Sequence, residues 1–319
     1  MISSLMMKKN ILILLLLSSV LLAQNSNIEF SDDEDDVATI EPEIFSAKSE
    51  KYSFSRSKRI LATKIYRLHK KTFYAGCDYE IKGKQLVPIA DTCGFHYRKN
   101  PKRANRIEWE HIVPAWHFGH VFKCWKEGGR KYCRDTNAKF RQMEADMHNL
   151  VPSIGEINGD RSNYPYGNIP GEKRVYGKVD MEIESSKRVA EPKKNILGDI
   201  ARTYFYMHDK YNMYISPQQE KMLIKWNNQD PVTRWEKKKN LLVKDIQGDD
   251  NEYISHYRKI TALKPIQADT IEENSNFGDL KSELENKYSF IFDHLSKPVA
   301  TILLLIMTLF TLYIRKRKK

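Results

Sequence analysis

The segment from Arg106 to Pro114 constrains the fold of this chain more than any other stretch. It reads Arg-Ile-Glu-Trp-Glu-His-Ile-Val-Pro and places Glu110 directly before His111. Neighbouring side chains on an extended strand point to opposite faces, so these two groups can serve one site only where a strand ends or bends. Pro114 favours such an end, because proline cannot donate a ladder hydrogen bond. The segment therefore predicts a strand, around Ile107–Glu110, that ends beside a site.

Two later segments carry further polar groups. Glu144–Asn149 reads Glu-Ala-Asp-Met-His-Asn, and Gly155–Asn163 reads Gly-Glu-Ile-Asn-Gly-Asp-Arg-Ser-Asn. With Glu110 and His111 they supply carboxylates, imidazole and carboxamides. Hydrolysis of a phosphodiester needs a base that activates water and a cation that stabilises charge on phosphorus and the leaving oxygen. The three segments together therefore predict a metal-dependent phosphodiesterase.

The residue types suit separate tasks in such a site. His111 suits the base, because much of its imidazole is neutral near pH 7. Glu110 and Asn158, with Glu144 as a further candidate, suit a hard cation such as Mg²⁺, which prefers oxygen ligands and takes only one or two from the protein. Mn²⁺ or Ca²⁺ could occupy the same site.

Ordered landmarks extend this pattern along the chain from about Ser55 to Ile254. They comprise Thr72–Cys77, Cys93–Gly94, Arg98–Asn100, Glu108–His111, Ala115–Trp116, Phe118–His120, Cys124–Trp125, Gly128–Lys131, Met143–Leu150, Gly155–Asn163, Arg188–Pro192, Ala201–Tyr204 and Pro231–Glu236. In this order they resemble the bacterial endonuclease I family of secreted or periplasmic nucleases. The resemblance implies an α+β domain with the ββα-metal (His-Me finger) endonuclease fold and mostly helical surroundings.

The resemblance also implies a role for each of five residues. His111 would be the general base, and Glu110 and Asn158 would bind the divalent ion. Glu144 would be a second carboxylate that orders metal-bound water or supplies the leaving-group proton. Arg130, in the Gly-Gly-Arg-Lys landmark, would stabilise the phosphate after cleavage. All five positions carry the residue type that the family pattern requires.

Three further residues are candidates for contact with nucleic acid. Arg106 and Arg161 could bind phosphate or lie on a solvated surface, and the sequence leaves both interpretations open. Asn163 is the third candidate.

The charge of the chain suits a nucleic-acid substrate. The formal net charge is +12, and two basic runs stand out at Arg98–Arg103 and Arg234–Lys239. Such runs attract a phosphate backbone without reading sequence, although a solvated charged face explains either run alone equally well. No base-reading module is recognisable. We therefore expect a monomeric nuclease with little sequence preference that cuts DNA, with RNA left open; the alternative is a catalytically silent protein that binds nucleic acid.

The four cysteines indicate an oxidising compartment. An even number in an exported chain favours disulfides, but four cysteines admit three connectivities. Local spacing together with the family pattern implies Cys77 with Cys93 and Cys124 with Cys133. A zinc site is the alternative, although no Cys-x-x-Cys pair is present. It would be drawn from His111, His117, His120, Cys124 and Cys133.

The N-terminus predicts export. Lys8 and Lys9 precede an apolar run, Ile11–Leu22, which is typical of a signal peptide over residues 1–23 with cleavage after Ala23; an uncleaved anchor is the alternative. Residues 24–54 include the acidic run Ser31–Asp36 and are expected to be a disordered linker, with masking of a basic cleft as a second interpretation.

The C-terminus predicts a membrane anchor. Val299–Ile314 carries no charge and precedes the basic tail Arg315–Lys319. A helix of this length spans roughly 24 Å, somewhat less than the ~30 Å hydrocarbon core, and the basic flank is expected on the cytoplasmic side. Residues 255–298 would form a tether with a juxtamembrane helix. The predicted location is therefore extracytoplasmic, anchored in the cytoplasmic membrane; a C-terminal helix packed on the domain is the alternative.

The coarse secondary-structure pattern predicts one domain over residues 55–254. Strands are expected at Leu86–Ile89 and Ile107–Glu110, and the Asn158 segment is expected to open into loops. The predicted helices are Ser57–Lys71, one after Asn137, Ile196–Tyr211 and Pro217–Asn227.

Overall fold

The computed structural model describes residues 53–266, with the exception of Glu172. The expected signal peptide, most of the acidic linker, the tether beyond residue 266, the apolar segment 299–314 and the basic tail 315–319 lie outside the described residues. Within the part of the chain that is described, no helix is long and apolar enough to cross a membrane.

Ten helices and six short strands follow one another along residues 53–266, Glu172 apart. A π-helical turn, Leu61–Ile65, continues the first helix, and 3₁₀ turns occur at Ala90–Thr92 and Lys194–Ile196. In chain order the elements are α1 Phe54–Ile60, β1 Tyr79–Lys82, β2 Gln85–Pro88, α2 Pro101–Ala104, β3 Ile107–His111, α3 Ala115–Gly119, α4 Lys123–Thr136, α5 Ala138–Glu144, β4 Leu150–Ile154, α6 Gly155–Arg161, β5 Met181–Glu184, β6 Val189–Pro192, α7 Leu197–Tyr211, α8 Pro217–Gln229, α9 Arg234–Gln247 and α10 Glu252–Ser255.

The described strands form three antiparallel pairs, and the β3–β4 pair lies at the centre of the core. In its register Ile107 opposes Ile154 and His111 opposes Leu150. Every residue of both strands is buried, and α6 begins directly after β4. The mixed helices and small sheets agree with the expected α+β class.

Five of the predicted elements are confirmed with small changes in their bounds. The strand at Leu86 is β2, the strand at Ile107 extends to His111, the helix after Asn137 is α5, and the last two predicted helices are α7 and α8. Asn137 accepts a hydrogen bond from the Phe140 amide and so caps α5. The predicted helix Ser57–Lys71 instead begins at Phe54 and passes into the π-helical turn, which ends at Ile65.

The Asn158 segment is a helix, α6, and the prediction of loops there is wrong. Glycine and asparagine usually disfavour a helix, but both glycines of α6 lie against its neighbours. A Cβ atom on Gly155 would lie 2.6 Å from the Arg103 carbonyl oxygen and 2.7 Å from Glu108 Oε1. A Cβ atom on Gly159 would lie 2.4 Å from the Arg103 guanidinium. These glycines therefore permit close packing of α6 on α2 and β3.

Replacing Gly155 with alanine is expected to destabilise the fold. Alanine favours a helix by up to ~1 kcal/mol over glycine, but overpacking against a backbone oxygen costs about 1–3 kcal/mol, so the steric effect should dominate. Gly159→Ala is the comparison, because its obstacle is a side-chain group, the Arg103 guanidinium, and not the backbone. Arg103 would have to shift within its ion pair with Glu108, so a smaller loss of stability than for Gly155→Ala is expected. Urea unfolding of both variants measures the difference; a Gly155→Ala protein as stable as the wild type would contradict the packing argument.

A buried polar network fixes the chain between α5 and β4. The Asp146 carboxylate accepts hydrogen bonds from Tyr206, Lys210 and Tyr211 of α7 and from Gln247 of α9. Burial raises the pKa of Asp146, but the Lys210 charge and these hydrogen bonds outweigh it and lower that pKa to about 2. The segment that follows Glu144 is thus held to two helices from the C-terminal half of the domain.

Candidate active site

His111 lies at the end of β3 and is buried. Its Nε2 atom is 2.9 Å from the backbone carbonyl oxygen of Glu144. A carbonyl oxygen can only accept, so Nε2 carries the proton, and the neutral ring then has its lone pair on Nδ1. The rings of Phe54 and Phe118 lie 5.0 Å and 6.2 Å away between centroids. The local structure thus selects the tautomer of this imidazole and fixes its plane.

Two arginines of α4 hold the Glu144 carboxylate. Arg130 Nε donates to Oε1 at 2.8 Å, and Arg134 donates to Oε2 at 2.9 Å and to Oε1 at 2.8 Å. Burial raises the pKa of Glu144, but the charge of Arg130 and the hydrogen bonds from Arg134 outweigh it and keep that pKa below its ordinary value. Glu144 is therefore a carboxylate at neutral pH and a poor proton donor in this arrangement.

A break in α4 places Arg130 at the start of its second half. Gly129 has a φ of +68°, a left-handed conformation that favours glycine. The disulfide between Cys124 and Cys133 encloses this break, with Cα atoms 4.9 Å apart. The guanidinium of Arg130 lies 5.4 Å from the centroid of Phe54, the ring that also contacts His111. Arg130 and His111 thus lie against the same side chain of α1, the ring of Phe54.

Both predicted disulfides are confirmed. Besides the Cys124–Cys133 bridge, Cys77 is bonded to Cys93. The zinc alternative loses its thiolates, because Cys124 and Cys133 are bonded to each other. Residues 53–266 also contain no group of three or more His, Cys, Asp or Glu side chains arranged to hold a metal ion, Glu172 left aside.

His117 and His120 have structural contacts. His117 Nε2 donates to the Asn163 carbonyl oxygen at 3.0 Å, and burial, followed by the Arg161 charge, lowers the pKa of His117 to about 3. The His120 ring stacks on Trp116 at 4.1 Å and contacts the Trp116 carbonyl oxygen. These contacts give both histidines a structural role.

Glu110 is buried on the opposite face of β3 from His111. Its Oε1 atom accepts a hydrogen bond from the Tyr74 hydroxyl at 2.6 Å and one from Arg161 at 2.9 Å. β3 ends at His111, one residue beyond the predicted end at Glu110, and the two side chains lie on opposite faces of the strand. That Glu110 and His111 serve one site stays a prediction.

Asn158 lies on α6, on the side of the helix that faces β3. Its Nδ2 atom donates to Glu108 Oε2 at 2.7 Å. Glu108 also accepts hydrogen bonds from Arg103 and Arg106 and is completely buried. The carboxamide of Asn158 therefore has a fixed orientation relative to β3.

Two arginine candidates for nucleic-acid contact are engaged within the protein. Arg161 is completely buried and donates to Glu110, to the His111 carbonyl oxygen and to the Ile112 carbonyl oxygen. It also lies over the ring of Tyr166 at 4.5 Å. These contacts give Arg161 a structural role inside the protein and place it off the solvated surface that the sequence also allowed; its phosphate contact stays a prediction.

Arg106 and Asn163 are also held by protein contacts. The Arg106 side chain is 15% exposed and pairs with Glu108 at 2.7 Å. Asn163 Oδ1 accepts a hydrogen bond from Arg188 at 3.1 Å, and its carbonyl oxygen accepts one from His117. The phosphate contact of Arg106, which keeps some exposure, and the nucleic-acid contact of Asn163 both stay predictions.

Three side chains that hold candidate site residues were not foreseen from the sequence, although two of them left a signal. Glu108 precedes Glu110 by two residues, the spacing that puts both on one face of a strand. Arg134 follows Arg130 by four residues, which places both on one face of a helix. Tyr74, which donates to Glu110, is distant in sequence and gave no such signal.

Comparisons with known proteins agree with this geometry. The Endonuclease I family model matches residues 48–258. The chain is 43% identical over 219 residues to Endonuclease-1 of Buchnera aphidicola subsp. Acyrthosiphon pisum. The aligned region covers 66% of this chain and 87% of that protein. The chain is 46% identical over 192 residues to a periplasmic deoxyribonuclease of Aeromonas hydrophila, covering 60% and 81%. An extracellular deoxyribonuclease of the same species is 45% identical over 192 residues, covering 60% and 84%.

The site and the family match define the class of protein as a nuclease. The chain belongs to the endonuclease I family, as the sequence landmarks predicted.

The prediction of an enzyme anchored in the cytoplasmic membrane is wrong on these comparisons. The Aeromonas relatives are named as periplasmic and extracellular enzymes, and the described residues contain no helix able to cross a membrane. The segment 299–314, on which the prediction depended, lies outside the described residues. A membrane partner therefore forms no part of the function proposed for this chain.

Proposed function

We propose that this protein is an Mg²⁺-dependent endonuclease that hydrolyses DNA with little sequence preference. The observation that carries the proposal is the His111 geometry, in which Nε2 is committed to a carbonyl oxygen and the adjacent residue is a buried carboxylate. The names of the Aeromonas relatives support DNA as the substrate. RNA as a second substrate, a monomeric state and the predicted domain bounds stay predictions.

The unit made of β3, β4 and α6 supports the ββα-metal assignment. Two antiparallel strands are followed at once by a helix that packs on them, and His111 and Asn158 lie on the first strand and on the helix. Residues 112–149 intervene between the strands and include α3, α4 and α5. This insertion supplies Arg130 and Glu144. We assign the unit as the ββα element of the family on this arrangement.

The donor set fits a hard divalent cation. Glu110 offers a carboxylate and Asn158 a carboxamide oxygen, and Mg²⁺ takes only one or two such ligands from a protein and keeps several waters. The fixed orientation of Asn158 supports the fit, because its nitrogen faces Glu108 and its oxygen faces away. A cation bound there would stabilise the negative charge that develops on phosphate and the leaving oxygen.

The protein residues then have distinct tasks in hydrolysis. His111 accepts a proton from water at Nδ1, and the Glu144 carbonyl oxygen stabilises the resulting imidazolium through Nε2. Arg130 places a positive charge near the phosphate, and its Nε–Glu144 contact fixes the guanidinium plane. Glu144 acts through Arg130 and through its carbonyl oxygen, since its lowered pKa argues against proton donation.

Removal of one ligand at a time tests the cation site. Glu110→Ala and Asn158→Ala should each raise the Mg²⁺ concentration needed for half-maximal plasmid cleavage by about tenfold or more through the lost ligand, and EDTA should abolish cleavage by the wild type. Plasmid nicking across an Mg²⁺ series measures the effect, and a parallel RNA arm tests the second substrate.

A matched control keeps this test specific. Glu191→Ala removes a carboxylate from β6, outside the site, and should leave the Mg²⁺ series unchanged. Identical Mg²⁺ dependence in all variants would reject Glu110 and Asn158 as ligands. EDTA-insensitive cleavage would reject the metal, and absence of any cleavage with retained DNA binding would favour a silent binding protein.

A further inference from the structure

We propose that Glu108 is a positioning residue that fixes which end of the Asn158 carboxamide faces the cation site. The inference rests on the proposed function, because it takes Asn158 as a ligand. It assigns to Glu108 a task that differs from those of Glu110 and His111, although all three belong to the same strand.

The orientation follows from hydrogen-bonding capacity. Glu108 Oε2 lies 2.7 Å from Asn158 Nδ2, and a carboxylate presents only acceptors at neutral pH, so the amide must turn its NH₂ group toward it. The carboxamide is planar, and its Oδ1 atom therefore points away from Glu108. A carboxamide without such a partner has two orientations of similar shape, and only one of them presents oxygen to a cation.

The Glu108 carboxylate is itself held at both oxygens. Arg103 donates to Oε1 at 3.1 Å and to Oε2 at 2.5 Å, and Arg106 donates to Oε1 at 2.8 Å. These contacts commit the Glu108 charge to two guanidinium groups, which makes it a poor ligand. They also prevent rotation of the carboxylate, so its direction toward Asn158 is fixed. Glu108 is completely buried, and water cannot replace it easily as the acceptor.

The backbone of α6 is shaped to the same contact. A Cβ atom on Gly155 would lie 2.7 Å from Glu108 Oε1 and would push the carboxylate aside. Gly155 thus allows the first turn of α6 to approach Glu108, and Asn158 lies three residues later, one turn along the helix. The three-residue spacing between Gly155 and Asn158 therefore lets both residues lie against Glu108. The two-residue spacing between Glu108 and Glu110 places both carboxylates on the face of β3 that α6 covers.

The test uses Mn²⁺ as the probe, because its free form gives an electron paramagnetic resonance signal that reports binding without turnover. Glu108→Gln keeps the shape but places an NH₂ group among three donors, so the carboxamide of Asn158 loses its fixed direction. The dissociation constant for Mn²⁺ should rise by about 10- to 100-fold, the usual effect of losing a residue that orients a ligand. The full chain is used throughout.

A double-mutant cycle separates positioning from a direct effect. Asn158→Ala alone should weaken Mn²⁺ binding, and adding Glu108→Gln to it should change the dissociation constant by less than about twofold, since no carboxamide remains to be oriented. Glu156→Gln is the matched control: Glu156 is a buried carboxylate of α6 that accepts hydrogen bonds from the amides of Arg98, Lys99 and Asn100. The Glu156→Gln protein should bind Mn²⁺ with the dissociation constant of the wild type.

Each outcome decides one point. Weak binding in Asn158→Ala with normal binding in Glu108→Gln overturns the positioning role and leaves the proposed function intact. Normal binding in Asn158→Ala rejects Asn158 as a ligand and with it the proposed site. An equal loss from Glu108→Gln in both backgrounds overturns positioning, because Glu108 would then act directly. If circular dichroism shows that Glu108→Gln does not fold, Glu108→Asp replaces it in the same cycle. Aspartate keeps the negative charge that pairs with the arginines but is too short to reach Asn158, so Mn²⁺ binding should weaken. Unchanged Mn²⁺ binding in Glu108→Asp overturns the proposal.

Discussion

DNA cleavage by a His111→Ala protein is expected to fall by about 10²- to 10⁴-fold, the usual contribution of a general base. DNA binding should stay within about twofold of the wild type, because His111 is buried against Phe54 and the Glu144 carbonyl oxygen and supplies no charge to the phosphate backbone. The measurements are plasmid nicking at saturating Mg²⁺ and DNA binding in the presence of EDTA.

His120→Ala is the control for this prediction. The His120 ring stacks on Trp116 and contacts a backbone carbonyl oxygen. The substitution therefore also removes a partly buried histidine of the same region. It should retain most of the cleavage rate. Cleavage by His111→Ala within about tenfold of the wild type would reject His111 as the base, and a parallel loss of DNA binding would point to misfolding.

The Arg161→Met substitution is expected to reduce the free energy of unfolding by about 3–5 kcal/mol. Removing one partner of a buried ion pair leaves the other charge uncompensated, which costs this amount. Here the uncompensated group is Glu110, and the carbonyl oxygens of His111 and Ile112 lose their donor as well. Urea denaturation at neutral pH measures the change.

Lys131→Met is the matched control for the loss of a cation. Lys131 is 83% exposed and pairs with Asp135 one helical turn away, so its removal should cost less than about 1 kcal/mol. A loss below about 1 kcal/mol in Arg161→Met would show that the buried pair contributes little. Weakened DNA binding with unchanged stability would instead support Arg161 as a phosphate contact.

The parts of the fold that the sequence revealed were those fixed by local patterns. Asn137 capped α5, and Pro217 in the first turn of α8 marked its start. The position of Pro114 predicted a strand that ends at Glu110, one residue before the end found at His111. These features depend on residues a few positions apart, and such residues determine local backbone conformation whatever the rest of the chain does.

The residue composition of two helices, α6 and α9, did not indicate a helix. Gly155 and Gly159 gave α6 the appearance of a loop, although both glycines are needed for its packing. The lysine-rich start of α9 was interpreted only as a basic run, although Thr233 and Glu236 form a capping box there. In each case a tertiary or capping contact outweighs the average preference of the residues.

The contacts of the buried charges could not be predicted, because their partners are distant in sequence. Arg161 donates to the carbonyl oxygens of two residues about fifty positions earlier, and backbone acceptors carry no sequence signal. The sequence indicated Glu144 and Arg130 as site candidates, but it gave no sign that Arg134 joins Arg130 in lowering the pKa of Glu144. Residue types thus indicated which side chains are candidates for the site, and only the folded structure shows which of these arginines are buried.

The alternation of β3 makes this strand intolerant of any change in length. Glu108 and Glu110 face α6, while Trp109 and His111 face the aromatic side chains of the N-terminal helical segment. Insertion or deletion of a single residue between Ile107 and His111 would exchange the two faces, bringing indole against arginine and carboxylate against phenyl rings. Natural variants in this family should therefore differ here by substitution alone, and length variation should be confined to the segments outside the strand.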